Sequence, residues 1–288
     1  MIEDEKKIEE VNISEVQPSQ LYLSSRKLEE MDDESDLEPL PIKRIGDRVF
    51  FTDGHHRAHT LFERGIEKVE VYEDHDDLDW LAYLICVDWC EKEGLRDIGD
   101  LNDRIIDEES FKEAWIGRCQ RMHRDLEEDI FHHVKIVEEN EPNIKSEICK
   151  TILRSLPEYF GIDEAVEDYL EGVKKKYFLS ARVGKIPIGF MCVKNHNEFT
   201  SELYVLGIVK ELHGRGIGSR FLDEIEEQLI KEGKEYLTVK TLSPSHPEKG
   251  PYDKTRSFYR SVGFVPLEEF PTLWDEDNPC LFMAKSLD

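Results

Sequence analysis

His213-Gly214-Arg215-Gly216-Ile217-Gly218 stands between an apolar extended run, Leu203 to Val209, and an amphipathic stretch of helical character, Ser219 to Lys231. A strand that turns through glycines into a helix leaves backbone N–H groups unpaired at the helix N-terminus, where the helix dipole also favours negative charge. A phosphate fits such a place without any side-chain ligand. Alternation of Gly214, Gly216 and Gly218 lets the backbone approach a bulky anion and take positive φ where the turn needs it, and Arg215 adds charge. Dinucleotide folds space their glycines differently and expect an acidic residue about twenty positions on. The mononucleotide P-loop ends in Gly-Lys-Ser/Thr. The segment matches neither pattern.

The surrounding chain supplies the elements such a cradle needs. Ile217, Phe221, Leu222, Ile225 and Leu229 recur at helical spacing and give the helix one buried stripe, and Gly233 is placed to cap its C-terminus. Upstream, Tyr177 to Val183 and Ile186 to Val193 are apolar extended runs joined at Gly184-Lys185, the pattern of a hairpin, and Ser201 to Val209 is a third run. Downstream come a strand, Tyr236 to Thr241, a proline-bearing loop, Ser243 to Pro251, a helix from Asp253 to Val262, and a last strand, Cys280 to Ala284.

The glycine segment resembles the acyl-coenzyme A pyrophosphate loop of the GNAT acetyltransferase superfamily, Arg/Gln-x-x-Gly-x-Gly/Ala, with His213 standing where that pattern has Arg or Gln. Phe258-Tyr259-Arg260-Ser261-Val262-Gly263-Phe264 resembles the superfamily's Phe-Tyr-x-x-x-Gly-Phe signature, and the order of elements from Ile130 to Ser286 is similar to that fold. The resemblance implies a mixed sheet flanked by helices and acetyl-CoA as co-substrate. It implies pyrophosphate contacts from His213, Gly214, Arg215, Gly216, Ile217, Gly218 and Ser219, and strand-like pairing of the pantetheine arm with the backbone of Leu206, Gly207 and Ile208.

An amine that attacks a thioester must be neutral, and the tetrahedral intermediate must expel a thiolate, so a base near nitrogen and an acid near sulfur both help. Tyr259 suits the acid, because a phenol with a pKa of about 10 stays protonated at neutral pH. Glu202, at the start of the strand beside the pantetheine, is the candidate base, with Tyr204 as the alternative. Arg215, Arg220 and Arg256 are expected to give the pocket its positive potential. The resemblance implies that the acceptor side is built from variable loops, here Leu153 to Gly172 and Ser243 to Pro251, with Leu267 to Pro279 nearby.

The first half carries a different signal. A hairpin pattern from Leu40 to Phe51 leads into Thr52-Asp53-Gly54-His55-His56-Arg57-Ala58, then a helix to Arg64 stopped by Gly65, then the alternating Val69-Glu70-Val71-Tyr72. This resembles the ParB/sulfiredoxin-like nucleotide-binding fold, in which a Gly-x-x-Arg turn opens a helix and holds a phosphate, here Gly54, His55, His56 and Arg57. Sulfiredoxins have a catalytic Cys after that Gly, and partition proteins have Glu-Arg-Arg; His55 and His56 depart from both, so neither activity is carried over.

Leu78 to Glu93 and Phe111 to Leu126 have helical character. The pairs Cys86/Cys90 and Cys119/His123 have i,i+4 spacing that suits two helical faces of a metal site, but nothing in the sequence brings the pairs together, and no metal is expected. Six cysteines without paired short spacings, no signal-peptide pattern and no long apolar run lead us to expect a reducing cytoplasm and no membrane span. The charge-rich tracts Ile2 to Glu10 and Glu29 to Glu38 are expected to be solvated. A net charge of −26 opposes nucleic acid and favours a cationic acceptor, whether small molecule or protein amine.

The sequence therefore predicts an α/β (α+β) chain of two domains: residues 1–127, ParB/sulfiredoxin-like with a helical extension, and residues 128–288, GNAT-like. The predicted activity is acetyl transfer from acetyl-CoA to a primary amine, with a nucleotide-binding or regulatory N-terminal module. Two alternatives stand beside it: a non-catalytic acyl-CoA or nucleotide sensor, and a nucleotide-dependent enzyme centred on Gly54 to Arg57.

Overall fold

Seven strands build the largest sheet in a computed structural model that describes residues 7–31, 38–246 and 250–287. The chain folds as two units, Met1–Lys135 with Val183–Ile186, and Ile136–Arg182 with Pro187–Asp288.

In the first unit, β1 (Ile8–Asn12), β3 (Leu40–Ile45), β4 (Arg48–Phe51) and β5 (Lys68–Glu73) form a sheet of order β1-β5-β3-β4, while β2 (Leu23–Ser24) pairs with β6 (Ile105–Ile106). Its helices are α1 (Ser25–Glu29), α2 (His55–Glu63), α3 (Trp80–Lys92), α4 (Glu108–Phe111) and α5 (Gly117–Glu128), the last two joined by a π-helical turn at Lys112–Ile116. The apolar face of α3, with Leu81, Leu84, Ile85 and Val87 almost fully excluded from solvent, anchors this core. Within the tract expected to be solvated, Ile8 to Glu10 are exposed and also pair with β5 as part of the edge strand β1. Residues 1–6 and 32–37 of the two charged tracts lie outside the described residues.

The second unit is built on β7 (Val134–Glu138), β8 (Tyr177–Val183), β9 (Ile186–Asn195), β10 (Thr200–Ile208), β11 (Tyr236–Leu242), β12 (Val265–Phe270) and β13 (Cys280–Ser286), in the order β12-β13-β11-β10-β9-β8-β7. Helices α6 (Pro142–Arg154), α7 (Asp163–Val173), α8 (Ile217–Lys231) and α9 (Tyr252–Ser261) accompany it. The predicted stripe of α8, Ile217, Phe221, Leu222, Ile225 and Leu229, is buried, each large side chain contributing about 2 kcal/mol on leaving water. Gly233, at φ 78°, ends α8 with Lys234 N–H donating to the Leu229 carbonyl, the Schellman arrangement. One expectation is overturned here. Leu153 to Gly172 is not a loop, because α6 ends at Arg154 and α7 covers Asp163–Val173.

Candidate functional site

The site begins where two parallel strands stop pairing. β10 and β11 are in register from Thr200↔Tyr236 to Leu203↔Val239; beyond that, β10 pairs only with β9, as far as Ile208↔Gly189, and β11 only with β13. A register shift between Leu203 and Val205 puts a bulge at Tyr204, which bends β10 away from β11. The splayed edge carries backbone groups with no sheet partner. Gly207 belongs to this edge for a packing reason: a Cβ there would meet Ile152 Cγ2 of α6 at 2.8 Å, so α6 crosses β10 close to the backbone.

From the end of β10 the chain passes through a short 3-10 turn, Lys210–Leu212, into the glycine segment. Gly214 (φ 77°) and Gly216 (φ 82°) hold left-handed backbone that other residues strain to adopt. Around both positions a Cβ would meet nothing within 4 Å. Gly216 is the N-cap of α8 without any side-chain cap, and the first helical bond runs from Arg220 N–H to the Gly216 carbonyl. The N–H groups of Ile217, Gly218 and Ser219 therefore precede the helical ladder, and these three residues line the cleft described next. Gly218 has a packing reason as well, since a Cβ would come to 3.0 Å of the Phe258 ring.

A cleft of about 700 Å³ joins the splayed edge to this helix start, and all its lining residues lie in the second unit. Leu206, Gly207, Ile208, His213, Gly214, Gly216, Ile217, Gly218, Ser219 and Tyr259 are on its wall, as the sequence grouped them. His213 uses its ring on the protein itself: Nε2–H donates to the Ile208 carbonyl at 2.8 Å, clamping the end of β10. Tyr259 is 6% exposed, wedged between Phe258 and Phe264 with ring centroids at 5.5 and 5.6 Å. Burial raises its phenol pKa, and the neighbouring Tyr169 and Tyr252 raise it further. Its hydroxyl has no hydrogen-bond partner among the described residues.

Several expected residues stand elsewhere. Glu202 is off the wall: its buried carboxylate accepts from Lys240 Nζ at 2.8 Å and is bonded to His196 Nε2 at 2.5 Å. Arg215 is exposed and not on the wall. Arg220 pairs with Glu224 along α8 at 3.2 Å. Arg256 is buried, donating to the Leu242 carbonyl and pairing with Asp253, so it braces α9 against β11. The cations that do line the cleft are Lys240 and Lys254, neither of which lies in a sequence motif. Tyr159, Phe160, Tyr169, Tyr252 and Trp274 were missed too. The signal that could have found four of them is their position: Tyr159, Phe160, Tyr169 and Trp274 fall inside the segments expected to build the acceptor side.

At the first unit's motif, Gly54 (φ 75°) is the N-cap of α2. A Cβ there would strike Leu40 Cδ2 at 2.7 Å. His55 and His56 turn away from any ligand role: their Nε2 atoms accept the backbone N–H of Ser19 at 3.0 Å and of Ser24 at 2.9 Å. Burial is the main cause lowering both rings' pKa to about 4. Arg57 reaches Glu38 and the Pro39 carbonyl. Among the described residues no cluster of three or more His, Cys, Asp or Glu is arranged to hold a metal, and no helix is long and apolar enough to cross a membrane.

With this geometry in view, residues 174–266 match the family model of the acetyltransferase (GNAT) domain. That segment therefore carries the pattern of a GNAT acetyltransferase domain, over about a third of the chain. No curated protein matches the chain. Among solved structures it is similar to the aminoglycoside 6'-N-acetyltransferase from Enterococcus faecium, at 18% identity, covering 54% of this chain and 97% of that one with a TM-score of 0.43. It is also similar to a GNAT family acetyltransferase from Elizabethkingia anophelis with acetyl-CoA bound, at 13% identity, covering 54% and 98% of the two chains with a TM-score of 0.42.

Proposed function

We propose that the second unit transfers the acetyl group of acetyl-CoA to a primary amine in the cleft between β10 and β11. One observation carries the reading: the parallel strands part after Leu203↔Val239, and the gap leads to an open helix N-terminus at Gly216. The N–H groups of Ile217, Gly218 and Ser219 face a pyrophosphate, with the freedom of Gly214 and Gly216 keeping side chains out of its way. The unpaired edge at Leu206, Gly207 and Ile208 offers the amides of a pantetheine arm an extra strand to pair with, and an N–H of that edge polarises the thioester oxygen.

In the reaction a C–N bond forms as the C–S bond breaks. A phenol with its pKa raised by burial holds its proton, so Tyr259 donates to the departing sulfur and CoA leaves as the thiol. Glu202 is bonded to two partners behind the wall, so any proton it takes from the amine comes by way of Lys240 or His196. For the first unit we propose a regulatory part, in which phosphate binding at Gly54 to Arg57 rests on backbone N–H groups alone, because the His55 and His56 rings are committed to Ser19 and Ser24.

Thiol release measured across an amine panel tests this scheme. Tyr259→Phe should lower turnover by about 100-fold while leaving acetyl-CoA affinity in place. Unchanged turnover would remove Tyr259 from the chemistry, and an absence of turnover with every amine would favour a binding protein over an enzyme.

A further inference from the structure

The cleft wall divides into two chemistries. One part is backbone and cation: the β10 edge, the start of α8, and Lys254. The other part is aromatic. Tyr159, Phe160, Tyr169, Tyr204, Tyr252 and Trp274 converge on it from the α6–α7 connection, α7, β10, the start of α9 and the β12–β13 connection. Most of these rings are fixed by one another in edge-to-face pairs. Tyr159 and Tyr252 lie at 5.4 Å, Tyr169 and Tyr204 at 5.4 Å, and Phe160 and Tyr169 at 6.0 Å. Tyr252 also donates its hydroxyl to the Tyr159 carbonyl at 2.8 Å. Gly172 is part of the same construction, because any side chain there would collide with the Tyr204 ring.

No Asp or Glu occurs among the described residues lining this cleft, although the chain carries a net charge of −26. The negative charge lies outside the wall, and the nearest buried carboxylate, Glu202, is already bonded to Lys240 and His196. An acceptor with several ammonium groups needs a carboxylate for each one it buries, since an unpaired buried charge is costly. Ring faces serve a different ligand: they attract a single ammonium through the ring quadrupole and bury a flat apolar body.

We propose that the acceptor is a primary monoamine on an aromatic body, an arylalkylamine, and that polyamines and aminoglycosides are poor ligands of this cleft. The proposal rests on the acetyl-transfer reading and narrows it. It also narrows the expectation that the overall charge favours a cationic acceptor, because the wall and not the whole chain sets the class. The ammonium first loses one proton to solvent; the neutral nitrogen then bonds the acetyl carbon, sulfur takes the Tyr259 proton as the C–S bond breaks, and the nitrogen's second proton passes through solvent to restore the Tyr259 phenol.

Calorimetric titration of the full chain, with and without saturating CoA, tests this with four probes: phenethylamine, tryptamine, spermidine and kanamycin. The two arylalkylamines should bind at least about 30-fold more tightly than the two polycations. Trp274→Ala, at an exposed position, and Tyr169→Ala should each weaken phenethylamine by about tenfold while acetyl-CoA affinity is kept. Polycation binding as tight as that of the arylalkylamines, no loss in either variant, or no binding of any arylalkylamine would overturn the proposal. A failure of acetyl-CoA itself to bind would instead strike the acetyl-transfer reading, and the amine titrations without CoA would still judge this one.

Discussion

Two helices of this chain begin in the same way and end up with different capacities. α2 and α8 each follow a glycine in left-handed conformation, Gly54 at φ 75° and Gly216 at φ 82°, and neither glycine offers a side-chain cap. At α2 the space before the helix is filled: Leu40 Cδ2 stands 2.7 Å from where a Cβ of Gly54 would be, and the first-turn histidines fold back onto Ser19 and Ser24. At α8 nothing lies within 4 Å of a Cβ on Gly216, and the helix start opens on a cleft of about 700 Å³. A glycine-led helix start supplies the N–H groups in both places. What sets the α8 start apart, and leads us to propose the anion there, is the space in front of it, which depends on residues far away in sequence.

Substituting the two glycines separates these situations. Gly54→Ala combines left-handed strain with a collision against Leu40 and should cost about 2–4 kcal/mol, read as a fall in the urea midpoint. An unchanged midpoint would mean that the packing at α2 is looser than described. Acidification should affect the α2 region next. His55 has its pKa lowered from 6.5 to about 4 by burial, so folding favours the neutral ring. The unfolded chain takes up that proton first. The stability is therefore complete above pH 6.5 and is lost as the pH falls through about 4, by about 3 kcal/mol in total for His55 and less for the more exposed His56. His55→Gln should flatten the dependence of the urea midpoint on pH over that window. The smallest effect is expected at Gly216→Ala, which meets no neighbour and should lose only about 1 kcal/mol for its backbone conformation.

The same contrast explains what could be read before the fold was seen. Local patterns around α8 were legible because each depends on near neighbours. The β8–β9 turn at Gly184-Lys185, the α8 stripe from Ile217 to Leu229, the Gly233 cap and the strand after it all appear within a few residues of their predicted bounds. Residues on the cleft wall that belong to these elements came with them. Features that depend on distant contacts were not legible. Arg256 has the charge for a phosphate site but spends it on the Leu242 carbonyl and Asp253. Glu202 sits at the right place in β10, yet the strand alternation and Lys240, on a strand paired with it only after the chain has gone through α8, carry its carboxylate behind the wall. The aromatic half of the cleft is assembled from segments spread between Tyr159 and Trp274, and α7 falls within the stretch Leu153 to Gly172 expected as loop, where charged residues break up the apolar ones.

The most direct test of the central claim is calorimetric titration of the full chain with acetyl-CoA beside the Gly216→Glu variant, whose carboxylate would point into the space assigned to the pyrophosphate. The account predicts binding in the micromolar range that is lost in the variant, with the urea midpoint falling only by the small amount that left-handed backbone costs. Binding of equal strength in both proteins, or in neither, would contradict it.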